Sequence, residues 1–325
     1  MSKMKLWIGV DLGGTWVRVV LSDTKGNFVE RIVEKVDKSR ADAIGKQIVR
    51  ITESVCAENG LEAKALGGVG IASSGPLIQD RGVLIKPTNI PFDVVPLTDI
   101  VTEELGVPAC LINDCAGAVL GESVFGAGKG LKNLVFVTIG TGIGCGAIVD
   151  GTLLLGKDGN GHEVGHFVID CEGKLICGCG KPGHWEGYCS GRNIPNFVRM
   201  RIKEMSGGAI KDSLLVKRVG GDFSKLVAAD LFAAAKRGDT LAVRLVNELG
   251  VLNSMGFANV ISAYDPSLVT VGGTVTLRNK SLILSPVRRL VGEYTVNRVP
   301  TIMVTPLGED VGLYGAVATA IRYLS

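Results

Sequence analysis

The sequence predicts a two-lobed α/β protein in which each lobe is built on a copy of the same β-sheet unit. At 325 residues and 46% hydrophobic content, the chain is longer than one typical domain and can bury a large core. Strand-like and helix-like segments alternate along it, with glycines where strands end. A glycine-punctuated pair of strands recurs at an offset of 127 residues. We therefore expect an active cleft between two lobes with duplicated β-sheet cores.

The repeated unit is a predicted hairpin with a glycine-rich turn. Its first copy runs from Leu6 to Ser22 around Gly13-Gly14-Thr15, and its second runs from Leu134 to Val149 around Gly140-Thr141-Gly142. β-Favouring residues flank both turns, which is typical of strands joined by a tight connection. Few identities link the copies, but the order of apolar and glycine positions is the same. The sequence therefore predicts two copies of one β-rich unit facing each other.

The other elements follow from apolar periodicity. The pattern predicts helices over residues 41–59, 97–105, 116–122 and 241–264, and strands over residues 66–71, 109–112 and 268–271. We place the boundary between the lobes at Asn113. This gives a small domain of residues 1–112 plus 309–325 and a large domain of residues 113–308.

Composition and charge exclude several classes of function. The chain has 35 basic and 32 acidic residues, spread along its length, so no surface for nucleic acid is expected. The longest uncharged stretch, Asn133 to Val149, contains four glycines and is short for a membrane span. The N-terminal residues lack a long apolar segment followed by a cleavage site, so we expect a cytoplasmic protein. Its eight cysteines should then be reduced or metal-bound.

The two glycine turns are candidate phosphate sites. Gly13-Gly14-Thr15 and Gly140-Thr141-Gly142 each offer backbone amides that no Cβ shields, together with a threonine hydroxyl. Either turn alone could be an ordinary hairpin turn, but two at matching positions favour phosphate binding. Asp11 ends the first strand and could hold a water of hydrated Mg²⁺, because this ion needs few protein carboxylates. The alternative for Asp11 is an aspartate that caps its turn.

Asn113 and Asp114 follow a predicted apolar strand, so a carboxylate should lie at a strand end with an amide beside it. This arrangement suits a general base that accepts the proton of a sugar hydroxyl while the neighbouring amide holds another hydroxyl. The alternative is that the pair caps the helix that follows.

The segment of residues 162–189 carries the clearest metal signal. All three histidines and four of the eight cysteines of the chain fall within it: His162, His166, Cys171, Cys177, Cys179, His184 and Cys189. His166, Cys177, Cys179 and His184 have a spacing suited to a closed tetrahedral zinc site. A closed site leaves no position for a metal-bound water, so the zinc is expected to be structural. The alternative is a pair of free cysteines in a glycine-rich loop.

Two glutamates flank the predicted zinc ligands. Glu163 precedes His166 by three residues, and Glu186 follows His184 by two. A zinc-pinned loop would hold both carboxylates in the fixed geometry that vicinal sugar hydroxyls require. His166 could bind zinc through one ring nitrogen and offer the other to a ligand. The alternative is a pair of solvent-exposed glutamates, and His162 is interpreted as a loop residue.

These motifs, taken as an ordered set, resemble the ROK family of sugar kinases and repressors within the actin-like ATPase superfamily. The similarity runs from Lys5 to Val317. The matching motifs are Asp11-Leu12-Gly13-Gly14-Thr15, Gly75-Pro76, Asn89, Asn113-Asp114, Gly140-Thr141-Gly142, Glu163-Val164-Gly165-His166, Cys177-Gly178-Cys179-Gly180 with Gly183, and Glu186.

The resemblance implies an ATP-dependent glucokinase or hexokinase with the two-lobed actin-like ATPase (RNase H-like) fold, acting as a homodimer. It implies Asp114 as catalytic base, MgATP along the glycine turns, and Gly273 beside the adenosine. The implied sugar ligands are Gly75, Asn89, Asn113, Asp114, Glu163, His166 and Glu186.

Two positions depart from the family pattern. His184 stands where a third zinc cysteine is expected, and Ala116 stands where an asparagine commonly follows the Asn-Asp pair. Histidine is still a good zinc ligand. The alternatives are a kinase for fructose, N-acetylglucosamine or N-acetylmannosamine, and a non-catalytic sugar-sensing protein. Family repressors carry a DNA-binding segment before the first glycine motif; ten residues precede Asp11, so we do not expect a repressor.

Overall fold

The computed structural model describes residues 5–87, 89–205 and 213–325. Its contacts divide the chain into two compact units. The first comprises Met1–Phe136, Gly146–His162 and Thr305–Ser325, and the second comprises Val137–Cys145 and Glu163–Val304.

The segments predicted from periodicity correspond to observed strands and helices, and the structure adds further elements. The strands are β1 (Leu6–Leu12), β2 (Trp16–Asp23), β3 (Phe28–Lys35), β4 (Val69–Ser73), β5 (Leu77–Ile78), β6 (Val83–Ile85), β7 (Val94–Pro96), β8 (Ala109–Asn113), β9 (Leu134–Ile139), β10 (Ile143–Val149), β11 (Thr152–Leu153), β12 (Leu268–Gly272) and β13 (Thr301–Val304). The helices are α1 (Ala43–Glu58), α2 (Thr98–Leu105), α3 (Asp114–Val124), α4 (Glu186–Cys189), α5 (Ile194–Glu204), α6 (Leu214–Arg218), α7 (Ala228–Lys236), α8 (Thr240–Tyr264), α9 (Thr274–Arg278), α10 (Lys280–Leu290) and α11 (Val311–Leu324).

The predicted repeat is visible in the sheet topology. Within the described part of the chain, one five-stranded sheet has the order β3-β2-β1-β4-β8, and a second has the order β11-β10-β9-β12-β13. Counted within each copy, both orders are third, second, first, fourth and fifth strand. β1 pairs with β2 antiparallel and with β4 parallel, while β10 pairs with β11 antiparallel and β12 pairs with β13 parallel. The predicted duplication of the sheet is confirmed.

The core of the first unit forms between its sheet and the helices that cover it. The apolar residues of α1 that gave its helical spacing, Ile44, Ile48, Ile51 and Val55, are all buried. Helix α11 packs on β1, β4 and α3. Glycine allows the close approach of α3 and α11, because a Cβ on Gly315 would lie 2.4 Å from the Gly117 backbone. The contacts of α3 with α11 therefore group residues 114–124 with the first unit, whereas the predicted boundary placed them in the large domain.

Helix α8 is the longest helix described in the second unit, and most of its apolar residues are buried. It ends where Asp265 adopts a left-handed conformation, with φ of 43°, directly before Pro266. A proline at this position ends a helix, as the sequence predicts. Across the described residues, none of the helices combines the length and the apolar character that crossing a membrane requires.

Candidate active site

The first glycine turn lies at the edge of a cavity of about 430 Å³ within the first unit. The turn joins β1 to β2 and is closed by the Gly13 amide, which donates to the Trp16 carbonyl at 3.0 Å. The cavity is lined by Asp11, Gly13, Gly14, Thr15, Trp16, Arg18 and Val33. The three residues of the first turn that are predicted to meet phosphate therefore line one concave surface.

Arg18 accompanies Asp11 in this cavity. The two residues are paired across the β1–β2 hairpin, and the Arg18 guanidinium donates to the Asp11 carboxylate. Its other terminal nitrogen donates to the Glu309 carbonyl at 3.0 Å. Burial raises the pKa of the Asp11 carboxyl above its ordinary value, and the Arg18 charge acts in the opposite direction. No motif in the sequence identifies Arg18, although the register of a hairpin closed at Gly13 and Trp16 places it opposite Asp11.

Asn113 and Asp114 lie at the junction of β8 and α3. Asn113 is buried and is the N-cap of α3, because its Oδ1 accepts from the Cys115 and Ala116 amides at 2.9 and 3.2 Å. With Oδ1 committed to the helix, a sugar hydroxyl could use its Nδ2 group. Burial raises the pKa of the Asp114 carboxyl, and the negative charge of Asp11 adds to the effect. Asp114 is thus a carboxylate with raised basicity, as a general base requires.

Gly75 and Asn89 lie on two loops of the first unit. A Cβ on Gly75 would lie 2.9 Å from Asn160 Oδ1 and 4.0 Å from Asn113 Nδ2, so Gly75 is close to both amides. Asn89 is exposed and lies against the first glycine turn, since a Cβ on Gly14 would approach its Cβ to 2.5 Å. The first unit therefore groups Gly75 with Asn113, and Asn89 with the first glycine turn.

The second glycine turn joins β9 to β10 and contacts Glu186. Glu186 Oε2 accepts from the Ile143 amide at 2.8 Å, and a Cβ on Gly142 would lie 2.6 Å from the same oxygen. Gly140 lies beside Gly273, which precedes α9. Gly273 has φ of +84°, and a Cβ there would lie 2.4 Å from the Ile139 carbonyl oxygen. Both its conformation and its surroundings require glycine.

The four predicted zinc ligands converge in the second unit. One ligand atom each from His166, Cys177, Cys179 and His184 lies within 4.8 Å of the others. This donor set, two thiols and two imidazoles, suits tetrahedral zinc. Burial raises the pKa of the Cys177 thiol to about 12, so its thiolate is expected only with a cation bound. Cys171, which is exposed, and Cys189, which is buried, are not part of the cluster.

Helix α8 supports the end of the predicted metal-binding loop, residues 162–189. Trp185 lies between the predicted ligand His184 and Glu186, and its ring packs edge-on against Phe257 with a centroid separation of 5.3 Å. Its indole nitrogen donates to Asn253 Oδ1 at 2.9 Å. Because Trp185 is buried and hydrogen-bonded, its two neighbours are held at fixed positions. The sequence alone does not indicate this contact, since Trp185 and α8 are far apart along the chain.

The remaining predicted ligand residues lie at the start of the same loop. Glu163 precedes a short 3₁₀ turn at Val164–His166, and its carboxylate lies 3.7 Å from His166 Nδ1. The His166 and His184 rings lie 5.1 Å apart. Within the second unit, the predicted sugar ligands Glu163, His166 and Glu186 are all next to, or part of, the metal cluster.

Comparison with known proteins decides the family. A model of the ROK family matches residues 7–322. The chain belongs to the ROK family. It is 36% identical to a protein named glucokinase from Thermotoga maritima over 98% of both chains. It is 32% identical to one from Pyrobaculum calidifontis over 98% of this chain and 96% of the relative.

A ROK structure confirms the fold of this chain. The structure of a ROK family glucokinase from Streptomyces griseus, in complex with glucose and AMPPNP, is 30% identical with a TM-score of 0.77, over 98% of this chain and 99% of that one. ROK sugar kinases have the actin-like ATPase fold, and this chain shares it. The predicted family and fold class are therefore both confirmed.

Proposed function

We propose that this ROK protein is a glucokinase that transfers the γ-phosphoryl group of MgATP to the 6-hydroxyl of glucose. The observation that carries the proposal is the junction of β8 and α3, where a carboxylate with a raised pKa, Asp114, follows the buried amide of Asn113. The near full-length similarity to proteins named glucokinase supports glucose as the substrate on which that carboxylate acts. The location in the cytoplasm and the homodimer expected from the sequence stay predictions.

Asp114 is assigned as the general base. It would accept the proton of the 6-hydroxyl as that oxygen attacks the γ-phosphorus in line, with ADP as the leaving group. In the first unit, Gly75, Asn89 and Asn113 would bind further hydroxyls. In the second unit, Glu163, His166 and Glu186 would do so, with their carboxylates accepting from vicinal hydroxyls.

The glycine turns are assigned to the nucleotide. Amides and threonine hydroxyls of Gly13-Gly14-Thr15 and Gly140-Thr141-Gly142 would donate to phosphate oxygens, and Gly273 would lie beside the adenosine. Mg²⁺ would offset charge on the phosphates, and Asp11, which lines the cavity of the first turn, is the carboxylate that could hold one of its waters. Arg18 would keep a positive charge beside Asp11.

Zinc is assigned a structural role at His166, Cys177, Cys179 and His184. The closeness of the four ligand atoms supports this assignment, because they lie within 4.8 Å of one another and small side-chain movements would bring them onto one ion. When bound, zinc would fix the loop that carries Glu163 and Glu186. The protein groups that meet the sugar would then be arranged before it binds.

A panel of sugars tests the proposal against other ROK activities. Purified protein with MgATP is assayed with glucose, fructose, N-acetylglucosamine and N-acetylmannosamine, and kcat/KM is compared among them. The proposal expects the highest value for glucose. A higher value for another sugar would replace glucose as substrate, and sugar binding without turnover of any member would identify a sensor.

Gly273→Ala tests the nucleotide assignment. We expect it to destabilise the protein by about 1–3 kcal/mol more than Gly238→Ala and to raise KM for ATP, because the new methyl group meets the Ile139 carbonyl. Gly238 is a matched control, since it also has positive φ, +78°, but no neighbouring atoms within 4 Å of an added Cβ. Urea unfolding and ATP kinetics measure both effects. Equal behaviour of the two variants would contradict the close packing at Gly273.

A further inference from the structure

One loop of the first unit contacts the predicted sugar-binding segment through a side chain that no motif identified. The loop, residues 155–161, follows β11 and is closed by the Gly161 amide, which donates to the Leu155 carbonyl at 2.7 Å. Gly156 and Gly161 are in contact where the two ends of the loop meet, since a Cβ on Gly156 would lie 3.2 Å from the Gly161 nitrogen. The loop is thus a closed structure held by its own backbone.

The end of the loop is attached to β5 through Asn160. Its Oδ1 accepts from the Leu77 amide at 3.2 Å, and its Nδ2 donates to the Leu77 carbonyl at 3.0 Å. The side-chain amide therefore pairs with both backbone groups of one residue, as a neighbouring strand would. Gly159, with φ of +83°, packs beside it against Leu77 and Gln79.

This attachment lies directly beside Gly75. A Cβ on Gly75 would approach Asn160 Oδ1 to 2.9 Å, closer than any other atom, and the next neighbours are the Leu77 amide at 3.6 Å and Asn113 Nδ2 at 4.0 Å. Gly75 is therefore close both to Asn160 and to the amide of Asn113. Asn160 Oδ1 accepts from the Leu77 amide, and its Nδ2 donates to the carbonyls of Leu77 and Asp158. The structure therefore shows Asn160 holding backbone, so we assign its effect on a ligand at Gly75 to that backbone.

We propose that Asn160 is a positioning residue for the sugar: it holds Gly75 and the following backbone at the spacing that the sugar hydroxyls require. The proposal rests on the assignment of Gly75 and Asn113 as sugar ligands. It adds a residue that lies three positions before Glu163, in a stretch of chain that the family motifs leave unassigned.

Asn160→Ala should raise KM for glucose about tenfold, as expected when two hydrogen bonds that fix one segment are lost. KM for ATP should stay within about twofold of the wild-type value, because the side-chain hydrogen bonds of Asn160 go to Leu77 and Asp158 and not to a glycine turn. Asn160→Asp keeps the acceptor for the Leu77 amide but loses the donor to the Leu77 carbonyl, so it should not restore the wild-type KM.

Asn133→Ala is the matched control. Asn133 also accepts from a backbone amide of the first unit, that of Asp150 at 2.9 Å, but this hydrogen bond is exposed to solvent. Asn133→Ala should change the melting temperature no more than Asn160→Ala does. It should leave both KM values unchanged. Parallel rises in both KM values for Asn160→Ala, or no rise for glucose, would overturn the proposal.

A double-mutant cycle tests the contact with Gly75. Gly75→Ala forces a methyl group against Asn160 Oδ1, so its effect on KM for glucose should be smaller in the Asn160→Ala background than in the wild-type chain. Equal fold-changes in the two backgrounds would contradict the proposed coupling.

Hydrogen exchange of the Leu77 amide, measured without sugar, tests the attachment separately from activity. The amide should exchange faster in Asn160→Ala than in the wild-type chain. Unchanged exchange would overturn the attachment itself. If the wild-type chain phosphorylates no sugar, the proposed function fails, and faster exchange would still support the attachment of the loop.

Discussion

Asp114→Asn is expected to lower kcat for glucose phosphorylation by roughly 10²–10⁴-fold while glucose binding stays measurable. The reason is that the carboxylate acts when the 6-hydroxyl loses its proton, so its loss affects the transition state more than the bound sugar. Steady-state kinetics give kcat, and calorimetric titration gives the affinity for glucose. Asparagine keeps the shape of the side chain, so that packing at the start of α3 is preserved.

Two results separate this role from a structural one. Asn113→Ala removes both the N-cap of α3 and a proposed sugar ligand, so it should cost about 1 kcal/mol of stability and act mainly on KM for glucose, whereas Asp114→Asn should act mainly on kcat. Asp114→Asn should lower kcat much more than its effect on stability explains. A kcat within about tenfold of the wild-type value would contradict Asp114 as the base.

The pH dependence follows from the raised pKa of Asp114. The base must be ionised, so kcat/KM should fall on the acid side at a higher pH than an ordinary aspartate would give. Stability also depends on pH. A carboxyl whose pKa is raised by folding binds its proton more tightly in the native state than in the unfolded chain. The ionised carboxylate therefore destabilises the native state above the native pKa, and this cost disappears as the pH falls through that pKa.

A comparison of melting temperatures checks this sign. Asp114→Asn should melt above the wild-type protein at neutral pH, and the difference should shrink as the pH falls. A difference that grows on acidification would mean that the Asp114 pKa is lowered rather than raised.

Loss of the metal ligands is expected to have the second large effect. Cys177→Ser and Cys179→Ser should each abolish stoichiometric zinc, lower the melting temperature and raise KM for glucose by at least about tenfold. The structural reason is that both thiols belong to the four-residue cluster, which includes His166. Glu186 is next to this cluster, because its carboxylate contacts the Cys177 thiol. Zinc content by elemental analysis, thermal unfolding and glucose kinetics measure the three consequences.

Cys171→Ser is the matched control for the metal site. Cys171 belongs to the same segment and is exposed, but it is not part of the cluster. It should keep about one zinc ion per chain and wild-type kinetics. Full zinc content in Cys177→Ser, or the same loss in Cys171→Ser, would contradict the assigned ligand set.

The sequence predicted the fold where local signals and tertiary structure agree. The helix predicted over residues 97–105 is observed at Thr98–Leu105, and it ends at Gly106 in the left-handed conformation that glycine favours. The predicted hairpin repeat corresponds to β1–β2 and β9–β10 because glycine turns and β-favouring flanks are properties of the local chain. The convergence of His166, Cys177, Cys179 and His184 was equally predictable, because these residues are close in sequence.

Contacts between distant segments could not be predicted. The amide pairing of Asn160 with Leu77 joins residues 83 positions apart, and nothing in their local patterns indicates it. The local patterns also do not indicate the hydrogen bond from Trp185 to Asn253, which fixes the end of the predicted metal-binding loop. The packing of α3 on α11 likewise depends on glycines from opposite ends of the chain, and this is why residues 114–124 group with the first unit.

The most direct measurement is product analysis of the purified protein with MgATP and glucose, recording ADP and glucose 6-phosphate together. The proposed function predicts that the wild-type protein forms one glucose 6-phosphate for each ADP. It also predicts that Asp114→Asn forms both products much more slowly. ADP release without glucose 6-phosphate, or no turnover of glucose at all, would contradict it.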